Sequence, residues 1–150
     1  MPKVLPAPSF GELVRKHPAM FFAGGIVSDQ ELAARLLDCA IALGAQSAEL
    51  INLKNWQVVG SNTDWFVSAK FQVPETLNPP WPAPVPEWGE NSVRPEMLIS
   101  LLAQDIFMKT GTGIFRLKGS ATLAEEPFSL LGQARTWTRA IAFRGATNEA

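Results

Sequence analysis

Residues 28–44 read SDQELAARLLDCAIALG, and the reading of this stretch decides the fold. Ser28 and Glu31 have capping-box spacing, in which a hydroxyl and a carboxylate three residues on satisfy free N–H groups at a helix start. Leu32, Leu36, Cys39, Ala40 and Leu43 recur at three- and four-residue intervals and share one face. Gly44 stands where a C-capping glycine belongs. The stretch predicts an amphipathic helix ending near Leu43. A cap contributes about 1 kcal/mol, so the buried face must supply most of the stability.

Upstream lies RKHPAMFFAGG, residues 15–25. Glycines at the mouth of a helix suit a phosphate, but here no phosphate loop follows them. Met20, Phe21 and Phe22 instead read as a buried lead-in that pins the helix to a sheet. Ser9 and Glu12 repeat the capping-box spacing and predict a short turn that Pro18 ends.

Downstream the period changes from 3.6 to 2. ELINLK and WQVVG read as short strands, and WFVSAKFQV alternates as a third, with Gly60–Thr63 as the turn. Six of the chain's 12 prolines then fall between Pro74 and Pro86, beside Trp81 and Trp88. That density excludes helix and inner strand, so residues 74–91 form an extended loop. Its tryptophans serve either as anchors for a partner or as a strap over the domain's own core.

Ser92 caps a second expected helix, VRPEMLISLLAQDIF, with Met97, Leu98, Leu101, Leu102 and Phe107 on its apolar side. KTGTG reads as a turn and GIFRLKGSA as a strand. In the tail, the alanines also permit helix, but TWTRAIAF reads as strand, with Arg135, Trp137, Arg139, Ile141 and Phe143 on one face. The expected fold is a single α+β domain over residues 1–150, a mainly antiparallel sheet with two longer helices packed on one face.

Composition narrows the function. The 150 residues are 47% hydrophobic and 18% charged with net charge −1, so the chain is globular and has no global field for nucleic acid. One cysteine and one histidine exclude an internal disulfide and a two-histidine metal site. No apolar run reaches membrane-span length, and MPKVLPAPSF carries no signal-type segment, so a cytoplasmic location is expected. A His17–Cys39 thiol dyad is disfavoured because Cys39 lies on an apolar helix face. Asp38, Asp64, Glu87, Glu90 and Asp105 read as surface carboxylates rather than a catalytic pair.

The order VRKHPAMFF, LLDCAIALGA, a strand pair and SVRPEMLISLLAQDIFMKTGTG resembles the GHKL ATPase domain, in the form it takes in the DNA gyrase B subunit. The resemblance covers about residues 13–115. In that family a helix of pattern Glu-Val-Val-Asp-Asn-Ala supplies the general base and a magnesium ligand, and Asp-x-Gly-x-Gly reads adenine. Laid on RLLDCA, those helix positions carry Arg35 and Cys39. Arginine is no base near neutral pH, and a thiol is a poor ligand for magnesium. In GSNTDWF, Ser61 or Asp64 stands nearest the adenine-reading aspartate, without the glycines. The resemblance therefore implies a scaffold that has lost hydrolysis.

What remains is the profile of a non-catalytic protein-binding module, of the kind represented by bacterial immunity proteins that neutralise a toxin in contact-dependent inhibition. Trp81, Glu87, Trp88 and Glu90 in the loop, with Arg135, Trp137 and Arg139 in the tail, are the expected partner-binding residues. A basic toxin would suit the acidic positions Glu75, Glu87, Glu90, Glu125 and Glu126. Another protein is the expected partner, with no cofactor, metal, nucleic acid or membrane. A nucleotide-binding GHKL-like protein or ATPase is the alternative.

Overall fold

The computed structural model describes residues 16–65, 67–68, 71–72 and 95–147. Its first long helix, α1, spans Asp29–Ala42. Ser28 holds the extended backbone of an N-cap, and its Oγ accepts from the Glu31 N–H at 3.2 Å. Asp29 and Glu31 place negative charge at the positive end of the helix dipole. Leu32, Ala33, Leu36, Cys39 and Ala40 are its buried residues. The Ala45 N–H donates to the Ala40 carbonyl and the Gly44 N–H to that of Ile41, which is a Schellman stop. Gly44 adopts φ +94°, a conformation that a side chain would strain.

Five strands build the main sheet: β1 Glu49–Leu53, β2 Trp56–Ser61, β5 Asp105–Thr110, β6 Gly113–Lys118 and β7 Arg139–Arg144. All neighbours are antiparallel, in the order β1-β2-β7-β5-β6. Hairpins β1–β2 and β5–β6 flank the central strand β7. The first hairpin turns through Lys54, at φ +56°, and Asn55. The second turns at Gly111–Thr112, where the Thr112 N–H donates to Thr110 Oγ1 at 3.2 Å, so KTGTG is the turn that its sequence predicts.

The sheet is apolar on both faces. Val59, Ile106, Met108, Ile141 and Phe143 join one buried cluster with the stripe of α1 and with Leu98, Ile99 and Leu102 of the second helix, α2, Pro95–Leu102. Trp56, Val58, Phe107, Ala140 and Ala142 face the other way. They are covered by Ala121, Phe128, Ala134 and Trp137 from the chain between β6 and β7. That segment advances in short 3₁₀ turns at Leu123–Glu125, Phe128–Leu130 and Gly132–Thr136. Trp137 lies directly over Gly60 of β2, where any Cβ would overlap its indole.

The architecture is α+β, as the alternation of periods predicts, and several boundaries differ from expectation. The helix expected to run to Phe107 stops at Leu102, because residues 105–110 alternate between two apolar faces. Phe107 therefore packs opposite the helices. WFVSAKFQV is not one strand: β3 Val67–Ser68 pairs antiparallel with β4 Phe71–Gln72, so the chain reverses within it. Of TWTRAIAF, only Arg139 onward is strand, and Arg135 sits in a 3₁₀ turn. Phe22 is buried as the lead-in reading requires, whereas Met20 is 69% exposed. The loop at 74–91, Ser92 and the Ser9–Glu12 turn lie outside the described residues.

Candidate functional site

The helix positions singled out by the GHKL resemblance are both committed to structure. Arg35 Nη2 meets Glu31 Oε1 at 2.9 Å, one helical turn away, and the guanidinium lies 5.1 Å from the centre of the Phe22 ring. Glu31 thus spends its carboxylate on Arg35, while its N–H takes the Ser28 cap. Cys39 is wholly enclosed in the helix-side core, whereas His17 is exposed. Ser61 Oγ donates to the Gln46 carbonyl and accepts from the Thr63 N–H. Asp64 accepts two hydrogen bonds from Arg139, from Nε and Nη2, each 2.9 Å.

The tail residues expected to form a partner-binding patch do not share a surface. Arg135 is exposed. Trp137 is 4% exposed and belongs to the core opposite the helices. Arg139 is 3% exposed, with Nη1 3.0 Å from Met108 Sδ on the helix side. The correction has a simple cause: Arg135 and Trp137 precede β7, in and just after a 3₁₀ turn, so they do not continue the strand face of Arg139, and both faces of this sheet are covered. The sequence signal that could have placed Trp137 inward is Gly60, a glycine inside a strand that leaves room for an indole. Trp81, Glu87, Trp88 and Glu90 lie outside the described residues, as does Glu75. Glu125 and Glu126 serve local backbone: their carboxylates accept from the Thr122, Phe128 and Ser129 N–H groups.

A different set of polar groups converges at one end of the sheet. The start of α1, the β1–β2 turn, the start of β5 and the end of β7 enclose a groove of about 740 Å³. Its lining is dominated by polar side chains: Ser28, Asp29, Gln30, Lys54, Asn55, Gln57, Gln104, Asp105 and Arg144. The acids are already matched. Asp29 accepts from the Gly145 and Ala146 N–H groups at 3.2 and 2.9 Å, fastening the chain after β7 to the start of α1. Asp105 Oδ2 meets Arg144 Nε at 3.0 Å, and Oδ1 accepts from the Ser120 and Ala121 N–H groups. The Arg144 guanidinium lies 4.3 Å from the centre of the Trp56 ring. That placement combines cation–π attraction with an ion pair.

Gln57 differs from these. It is only 6% exposed, lines the groove, and its buried Oε1 has no hydrogen-bond partner among the described residues. An orphaned buried carbonyl costs about 1–3 kcal/mol, which is why such groups are rare in native folds. Sequence reading passed over this site because its residues come from four separate segments. The available signal was a lone glutamine inside the apolar strand WQVVG.

Among the described residues, no group of three His, Cys, Asp or Glu side chains is placed to hold a metal ion. No helix among them is long and apolar enough to cross a membrane. No family model, curated protein or solved structure matches this chain.

Proposed function

We propose that this chain is a non-catalytic protein-binding module. The observation that carries the reading is the internal commitment of its interior chemistry: Arg35 with Glu31, Arg139 with Asp64, Arg144 with Asp105, and Cys39 enclosed. A general base or nucleophile needs an accessible atom within reach of a substrate. These groups are turned toward each other instead. Ile26, Leu130, Leu123 and Phe115, by contrast, remain exposed and are available for contact with another protein. The finer reading is an immunity protein that neutralises a toxin encoded beside it in the genome. Calorimetry of the full chain with the product of the adjacent gene tests this, and saturable binding at one-to-one stoichiometry is the expected result. No binding to either neighbouring product counts against the immunity role.

The competing reading is a nucleotide-binding protein of the GHKL type. It needs a base and a magnesium ligand at the positions of Arg35 and Cys39, and neither side chain suits that work. Thermal unfolding with ATP or ADP and magnesium separates the two. A ligand held only by the folded state must raise the midpoint, so an upward shift would overturn the binding-module reading and a flat response favours it.

A further inference from the structure

The groove at the end of the sheet holds polar groups that pair with nothing among the described residues. Asp29, Asp105 and Arg144 are matched within the protein. Lys54 is exposed and forms no ion pair among the described residues. Asn55 lies beside it in the same turn, Gln104 lines the groove just before β5, and Gln57 lines it with a buried side chain whose Oε1 has no partner among the described residues. The uncommitted set is therefore one ammonium and three carboxamides.

We propose that this groove binds an extended peptide segment that carries a single carboxylate side chain. This rests on the protein-binding reading above and names the chemistry of the segment recognised. A carboxamide has the donor and acceptor of a peptide group, so asparagine and glutamine side chains pair with main-chain N–H and C=O together. Three of them around one channel match a length of backbone, where no regular strand edge is required. Lys54 then supplies a compact point charge for one acidic side chain. Gln57 is the buried member of the set, and its Oε1 lacks a partner among the described residues, so a donor that reaches it would end an unmet hydrogen bond. The open, polar lining fits a hydrophilic segment better than the apolar cavities that hold most small molecules.

The test uses the full-length chain and three capped hexapeptides of glycine and serine, with one central Glu, Gln or Lys. Sodium acetate at equal concentration is the fourth arm. Side-chain amide signals of Asn55, Gln57 and Gln104 are followed by heteronuclear NMR. The Glu peptide is expected to shift them saturably and to bind about threefold tighter than the Gln peptide, the range of one exposed charge pair. Lys54→Gln should erase that preference, and Gln57→Leu should weaken both peptides while the chain stays folded. Equal shifts from all three peptides, shifts confined to other residues, or acetate reproducing the Glu response would each overturn the proposal. Calorimetry with the adjacent gene product separates the two levels. If that protein binds wild type, Lys54→Gln and Gln57→Leu alike, the groove assignment falls and the binding-module reading stands.

Discussion

Arg139, buried at the start of the central strand, and Asp64, just beyond the end of β2, are joined by two parallel hydrogen bonds of 2.9 Å. The fork geometry fixes the path of the chain as it leaves β2 and turns toward Trp65, which is itself buried. The guanidinium side chain is 4% exposed and the carboxylate 29%. Removing the carboxylate takes from a buried cation the acceptor of two of its hydrogen bonds, whereas removing both charges does not. Asp64→Ala is expected to cost about 2–4 kcal/mol in urea unfolding. The double variant Asp64→Ala/Arg139→Met should recover most of that loss. Equal destabilisation by the single and double variants would show that the pair is not what holds this corner.

Gly60 has no room for a side chain because Trp137 occupies the space above it. Gly60→Ala should therefore lower stability by at least about 2 kcal/mol through overpacking and shift the tryptophan emission spectrum. Gly111, in the β5–β6 turn, has nothing within 4 Å of an added Cβ. Gly111→Ala should change stability by no more than about 0.5 kcal/mol. A tolerant Gly60→Ala would require Trp137 to pack elsewhere.

The burial of Trp137 and the exposure of Arg135 give them opposite roles. Trp137→Ala should cost about 3–5 kcal/mol by leaving a cavity under the second core. Arg135→Ala should leave stability within about 0.5 kcal/mol of wild type, so any loss of partner binding it causes reads directly as an interface effect. Urea titration beside calorimetry separates the two measurements.

Cys39 is enclosed among α1, α2 and the sheet. A thiolate must reach solvent to react, so an aromatic disulfide reagent should leave the folded protein unmodified and label it fully in guanidinium chloride. Rapid labelling in native buffer would contradict the packing of α1 on the sheet.

The helix over residues 29–42 was legible almost to the residue, because its cap, its apolar stripe and its stop all lie within seventeen consecutive positions. Strands β1, β2 and β6 and the KTGTG turn were legible from alternation and turn chemistry, but the start of β5 read as helix, and the turn expected at Gly60–Thr63 gives way to one at Lys54–Asn55, with Gly60 and Ser61 inside β2. The end of α2 was not. Leu101, Leu102 and Ala103 are separated from Ile106, Phe107 and Met108 only by Gln104 and Asp105, so the apolar positions suit both a continuing helix and a new buried strand. The covered second face explains the misplacement of Trp137, as burial on the helix side explains that of Arg139. Nothing in RTWTRAIAF reveals that a 3₁₀ segment from residue 132 onward folds back over the sheet and brings Trp137 with it. The groove escaped notice for a related reason, since Lys54, Gln57 and Gln104 meet only once β7 joins the hairpins.

The place of β7 also orders events during synthesis. Both hairpins are complete by residue 118, yet the edges they turn toward each other stay unpaired until residues 139–144 emerge. At 5–20 residues per second, a ribosome adds the intervening stretch in roughly one to five seconds. Throughout that interval the nascent chain presents two apolar strand edges, β2 and β5, which are templates for pairing with another chain. Efficient production should therefore depend on what shields those edges, and a chaperone that binds strand edges should raise the soluble yield more than one that acts after release.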